Sequence, residues 1–383
     1  MKGIRPFLWI GLFLSSFWIM ACGSAEGVGA GRVASPAIEG LFTSLAVDNL
    51  GQPHISFYDS TDGALKYTWF DIMNQVWNDQ FVDLNPAGPV GMDTSLALDP
   101  RTGFPRISYY DQTHRRLLLA AWDGMRWILQ VVDPGAGDDV GQFSSLALDS
   151  SGRPCIAYYD ATQRSLKLVV AIDAVPPFTF SLPITVDAGN VGQDASLALD
   201  PVTQEYRIAY YDAQNQRNKV AIWDNATLIL KIYSVDPGTG TGLYNSLVVD
   251  PGTGSIQIAY YDFVGHQLRY ARSSSPPFTV STPLTWTIET VDPVSGDDVG
   301  QFASLTLDGS ANPRIAYYDA TLMTLKLAKW NGMGWRLSSP LYFGSRSPDT
   351  GLYNSIKIDP RTGNLYVSYY NRSVGALGFS SFP

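Results

Sequence analysis

Histidine and cysteine are nearly missing from this sequence, which holds three of the first and two of the second among 383 residues. His54, His114 and His266 lie far apart and without the spacing of a metal site. Two cysteines exclude a disulfide framework. Charged residues are also scarce, at 16%, yet 45% of the chain is apolar and the mean hydropathy is −0.02. That balance excludes disorder as the main state. No window sustains a 3.6-residue apolar period, so helix should be nearly absent. No nucleophile elbow, phosphate-binding loop or zinc-protease motif is present. Gly238-Thr239-Gly240 precedes a strand in a β-only context, which excludes a dinucleotide reading. What is plentiful is glycine (35), proline (24) and tyrosine (21), the composition of short strands joined by tight turns.

The N-terminus belongs to a different class. Lys2 and Arg5 precede an apolar stretch from Phe7 to Ala21, the pattern of an export signal. It is too short and wrongly flanked for a transmembrane span. Ile19-Met20-Ala21-Cys22 resembles the lipobox of bacterial lipoproteins, in which the cysteine becomes the lipidated N-terminus. The resemblance implies a mature chain that starts at Cys22 and is anchored to the cell envelope rather than spanning it. The expected organisation is a signal over 1–21, a flexible tether over 22–30 and one repeat domain over 31–383. Losing Lys2 and Arg5 takes the basic count from 26 to 24 against 35 acidic residues, a net charge near −11. Nucleic acid and anionic headgroups are therefore poor partners for the body, and the membrane is expected only at the lipidated end. Cys155, in a strand pattern, reads as a buried inert thiol.

From about residue 31 onward two anchors recur seven times. The first is Gly-x-x-x-Ser, then two aliphatic residues around a spacer, then Asp. Its glycines are Gly40, Gly91, Gly141, Gly192, Gly242, Gly300 and Gly351, spaced by 51, 50, 51, 50, 58 and 51 residues. The second is an aromatic pair with an acid, as in Phe57-Tyr58-Asp59 and Tyr109-Tyr110-Asp111, closing with Tyr369-Tyr370-Asn371. Each unit but the last holds four strand-length runs; in the third they are Ser145–Asp149, Cys155–Asp160, Leu166–Ala171 and about Phe180–Val186. Four antiparallel strands at a period near 50 predict an all-β, seven-bladed β-propeller. The last unit has three such runs, and Gly31–Ser35 is the expected fourth strand that closes the ring.

In a propeller the connections into each first strand and those from second to third strand emerge at one end. That end should carry Asp93, Asp111, Asp138, Asp139, Asp160, Asp194, Asp212, Asp297 and Asp298, a candidate face for a glycan, a peptide or a cation such as calcium. The competing expectation is that each repeated Asp accepts N–H groups in its own turn, since residues that keep a fold recur whereas a site breaks symmetry. The position opening the second strand does vary. Arg106, Arg207 and Arg314 there form either an anion-binding cluster or partners for the aspartates that close the first strands, including Asp99 and Asp308. No cofactor is expected, and no catalytic residue stands out.

Over about residues 36–383 the repeats resemble those of secreted bacterial β-propeller repeat lipoproteins. Asp123-Gly124-Met125-Arg126-Trp127 also faintly resembles the Asp-box turn of sialidase-like propellers, without its leading Ser/Thr and without transferable sialidase machinery. The repeated but noncatalytic loop chemistry points to a monomeric, lipid-anchored recognition or scaffold protein that binds protein or carbohydrate through the loop-rich face. The alternatives are a polysaccharide-active hydrolase or lyase, or a purely architectural surface protein. Hydrolysis would require two carboxylates converging on the axis from blades that differ from their siblings.

Overall fold

Strands with apolar residues on both faces form sheets that must be covered on both sides. The computed structural model describes residues 38–224, 229–274, 284–293, 296–342, 344 and 347–383. The chain is a seven-bladed β-propeller. Consecutive strands form seven antiparallel sheets, six of four strands and one of three. The first strands, which surround the axis, are Glu39–Val47, Val90–Leu98, Val140–Leu148, Val191–Leu199, Thr241–Val249, Val299–Leu307 and Thr350–Ile358. Blade 2 continues outward through Pro105–Asp111, Arg116–Trp122 and Trp127–Asp133.

Two boundaries differ from the sequence expectation. The fourth strand of blade 3 is Ile184–Ala188, and Phe180 only bridges Ala171, because Pro176, Pro177 and Pro183 remove ladder donors. More consequentially, the Gly-x-x-x-Ser segment is not an approach loop. It lies within the first strand as two β-bulges, visible in blade 2 as shifts between Val90 and Met92 and between Met92 and Ser95. A bulge adds a residue, bends the strand and re-aims side chains.

The apolar core is divided into layers between blades. Leu117, Leu119 and Ala121 of blade 2 face Leu146, Ile156 and Tyr158 of blade 3, while Leu118 and Ala120 face blade 1. Two sets of polar contacts and one close packing contact recur between blades. The motif serine of each blade accepts the N–H of the next first strand, as in Leu96 N to Ser44 Oγ at 2.9 Å and Leu305 N to Ser246 Oγ at 2.9 Å. In blades 2 to 6 the first tyrosine of the pair reaches back to an aspartate ending the preceding blade, as in Tyr109 to Asp83 and Tyr260 to Asp236, both at 2.7 Å. The motif glycine, with φ near +100°, lies on the third strand of the preceding blade. A Cβ on Gly242 would sit 2.7 Å from the Asn218 Cα, so only glycine fits.

Blade 7 meets blade 1 through the same serine and glycine contacts, while Phe57 stands at the position of the first tyrosine. Leu45 N donates to Ser355 Oγ at 3.1 Å, Thr43 Oγ1 donates to the Tyr353 carbonyl at 2.7 Å, and Gly40 lies against Leu377. Among the described residues the last blade has three strands, ending with Ala376–Phe382. The signal peptide, Cys22, the tether and the expected closing strand Gly31–Ser35 lie outside the described residues.

Candidate functional site

The inner bulge sets the third residue of every Gly-x-x-x-Ser motif into the left-handed region. Phe42, Asp93, Phe143, Asp194, Tyr244, Phe302 and Tyr353 have φ between 49° and 54°, uncommon for any non-glycine residue and more so for bulky ones. All seven line a single cavity of about 230 Å³, joined by the fourth motif residues Thr43, Thr94, Ser144, Ala195, Asn245, Ala303 and Asn354. A cavity touched by all seven blades lies on the axis. Strain of this kind persists where surrounding contacts over-determine it, and here the serine and glycine contacts on either side do so.

The ring of third residues is not symmetric. Tyr244, Phe302, Tyr353 and Phe42 come from consecutive blades, and their ring centroids follow one another at 4.6, 4.7 and 4.8 Å. Across from this aromatic arc, blades 2 and 4 carry Asp93 and Asp194 on either side of Phe143. Each is anchored by the next blade: Asp93 Oδ2 accepts the Phe143 N–H at 2.8 Å, and Asp194 accepts the Tyr244 N–H. Both carboxyls are partly open to the cavity but enclosed by protein. That burial pushes Asp93 up to about 6 and Asp194 up to about 7, with repulsion from Asp93 adding to the second.

Asp93 also opens a groove. In blades 1, 3, 5 and 6 the third-residue ring lies over the second tyrosine of its own blade, as in Phe42 over Tyr58 at 6.4 Å and Phe143 over Tyr159 at 6.2 Å. An aspartate cannot cover Tyr110 in this way. A cleft of about 450 Å³ runs there between blades 2 and 3, sharing Phe42 and Asp93 with the axial cavity and adding Tyr110, Gln112, Arg115, Asp139 and Gln142. Beside Asp194, Phe263 of the next blade stands against Tyr211 at 6.3 Å. Blade 3 has the small Ala161 at the position of Phe263.

The other acidic candidates are engaged within the fold. Asp111, Asp160 and Asp212 are buried, accept the N–H groups of His114, Gln163 and Asn215, and pair with Arg116, Lys167 and Lys219. Asp139 accepts from Tyr110 at 2.8 Å, Asp138 from Gln163 at 2.7 Å, and Asp298 from Tyr261 at 2.6 Å. Asp297 lies near Asp319, whose carboxyl is pushed up mainly by burial and in part by that neighbour. The arginines do not converge. Arg106 pairs with Asp99 at 3.3 Å, Arg207 with Glu205 at 2.6 Å and Asp200 at 3.6 Å, and Arg314 with Asp308 at 2.5 Å, each within its own blade. No group of three or more His, Cys, Asp or Glu able to hold a metal occurs among the described residues. Asp123 accepts the N–H groups of Met125 and Arg126 and so shapes its own turn.

The aromatic arc was not among the residues read from sequence. Its signal was present in the third column of the motif, which runs Phe, Asp, Phe, Asp, Tyr, Phe, Tyr; only the bulge shows that this column faces the axis. A second departure is Lys357, exposed at the position held by Ala46, Ala97, Ala147 and Ala198 in other blades.

No family model matches the chain, and no curated protein matches it. Solved structures do. The Cps50 (Swd1) β-propeller domain of Myceliophteria thermophila is similar at 10% identity with a TM-score of 0.59, over 92% of this chain and 100% of that one. An arginine-substituted mutant of AofleA from Arthrobotrys oligospora is similar at 12% and 0.53, over 83% and 88%. The fucose-specific lectin of Aleuria aurantia is similar at 14% and 0.51, over 81% and 96%. At these identities the likeness is one of fold: the chain shares the β-propeller architecture with these proteins.

Proposed function

We propose that this is an exported, lipid-anchored recognition protein that binds an elongated protein or carbohydrate ligand, one end seated in the axial cavity and the rest along the groove between blades 2 and 3. The observation that carries this reading is the broken ring of third residues. Repeated polar groups serve the joints between blades, whereas Asp93 and Asp194 depart from the pattern at the one place all blades meet. At about 230 Å³ the cavity falls below the roughly 300–1,000 Å³ typical of pockets for whole small molecules, which suits the end group of a larger ligand. Export and anchoring rest on the N-terminal sequence, and replacing Cys22 with Ser should release the protein from the membrane fraction.

One observation favours a second reading, hydrolysis of a glycoside. Two carboxylates with raised pKa do face the axis from blades that differ from their siblings. Glycosidase pairs, however, split an acid from a base by pushing their pKa values apart. Asp93 and Asp194 have like environments and are both pushed up, which favours binding. The test is to probe glycan and peptide arrays with the mature protein, Tyr244→Ala and Gln142→Ala, and to assay any bound glycan for cleavage. Ligands that are lost with Tyr244→Ala, weakened with Gln142→Ala and left uncleaved are the expected result. Array ligands indifferent to both substitutions overturn the site, and cleavage that stops with Asp93→Asn establishes the hydrolase.

A further inference from the structure

We infer that the ligand end held in the axial cavity is an organic cation, an alkylammonium or guanidinium group, seated between the aromatic arc and the two aspartates. The inference rests on reading this cavity as the binding site, and it follows from which polar groups of the wall are already used. The hydroxyls of Thr43 and Ser144 donate to carbonyls of the preceding blade at 2.7 and 2.9 Å. The amide nitrogens of Asn245 and Asn354 donate to Gly242 and Gly351 within their own strands.

What remains is the hydroxyls of Tyr244 and Tyr353, which can donate or accept, and a set of acceptors. The Oδ1 atoms of Asn245 and Asn354 are buried without a protein partner, and Asn354 as a whole is only 7% exposed. Because each Nδ2 is held on a carbonyl, neither amide can turn its donor inward without setting two oxygens together. Those Oδ1 atoms are closed off from solvent, so the preference for a donor-rich group falls to the ionised carboxylates of Asp93 and Asp194, which line the cavity and only accept. Two enclosed carboxylates add negative charge at the same place.

The aromatic faces then decide between kinds of cation. A calcium ion takes six to eight oxygens and gains nothing from four aromatic rings. An ammonium or guanidinium with an apolar stem gains from both, through cation–π attraction and through contact of the stem with the rings. A sugar hydroxyl can pair with the carboxylates and with the hydroxyls of Tyr244 and Tyr353, but it brings no charge to offset the two carboxylates.

The test is calorimetric titration of the mature chain with n-butylammonium, n-butylguanidinium and uncharged n-butylurea, and with short peptides carrying one central lysine, arginine or alanine. Cationic probes are expected to bind at least about tenfold more tightly than their neutral counterparts and to lose at least about tenfold in Asp93→Asn and in Asp194→Asn. A lysine or arginine peptide that outcompetes the free amines identifies a polypeptide source, and equal affinity identifies a free amine. Equal binding of butylurea, or affinity unchanged by both substitutions, overturns the inference. Array ligands lost with Tyr244→Ala while no cationic probe binds would also overturn it and leave the axial site standing. Array ligands that ignore Tyr244→Ala would instead remove the site itself.

Discussion

Asp93 and Asp194 are held where ionisation is costly, and this sets a testable sign. Their folded-state pKa values, about 6 and about 7, lie above the ordinary carboxylate value of 3.8. Between those limits the folded chain binds more protons than the unfolded one, so the pair's contribution to stability is full below about pH 4 and is lost as pH rises through 6 to 7. The double substitution Asp93→Asn/Asp194→Asn keeps an acceptor for each neighbouring N–H and removes the charge. Relative to the parent protein it should gain about 1–2 kcal/mol at pH 8, a figure reduced for the solvent in the cavity, and much less at pH 5. Urea unfolding at both values checks this, and a difference independent of pH would refute it. Stability gained at the expense of binding is what a functional site predicts. Cys155 shows the opposite outcome for an unusual residue: burial pushes its thiol up to about 12, in keeping with the inert thiol read from its strand pattern.

The bulged first strand joins fold and site in one element. Its glycine lets the strand touch the preceding blade, its serine fastens it to the following one, and between them the third residue is turned to the axis. The recurrence of Gly and Ser was plain in the sequence. Their physical roles were not, because both partners lie in other blades, more than twenty residues away. Gly242→Ala forces a side chain into φ +104° and within 2.7 Å of the Asn218 Cα, and should cost about 3 kcal/mol or more. Ser246→Ala strands the Leu305 N–H and should cost about 1–3 kcal/mol. Gly309→Ala, with nothing within 4 Å of its Cβ position, should stay within about 0.5 kcal/mol. Denaturant midpoints order the three, and a neutral Gly242→Ala would contradict the close approach.

At the scale of the molecule, the joint between blades 7 and 1 differs from the other six in having no covalent connection among the described residues. Its described contacts, Ser355 with Leu45 and Gly40 on Leu377, are those of every other joint. If residues 31–35 supply the fourth strand of blade 7, the closing blade is woven from both ends of the domain, and a sheet edge is removed. Deleting residues 30–36 should then lower the melting temperature far more than deleting residues 23–29. Equal melting of the two deletions would show that the ring closes without that strand.

Repetition made the architecture legible. Seven Gly-x-x-x-Ser motifs and seven aromatic pairs report local requirements, a bulge and a two-faced strand, that any chain with this period must meet, and those requirements specify blades. The destination of each repeated polar group depended on tertiary contacts. Asp111 and Asp93 are both acids at the same end of neighbouring strands, yet one is neutralised by Arg116 in its own turn and the other is turned by a bulge toward six other blades. Residue type and spacing cannot separate these two fates. The separation comes from closure, which brings the third residue of every motif, a Phe or Tyr in five blades and an Asp in two, to a single point on the axis.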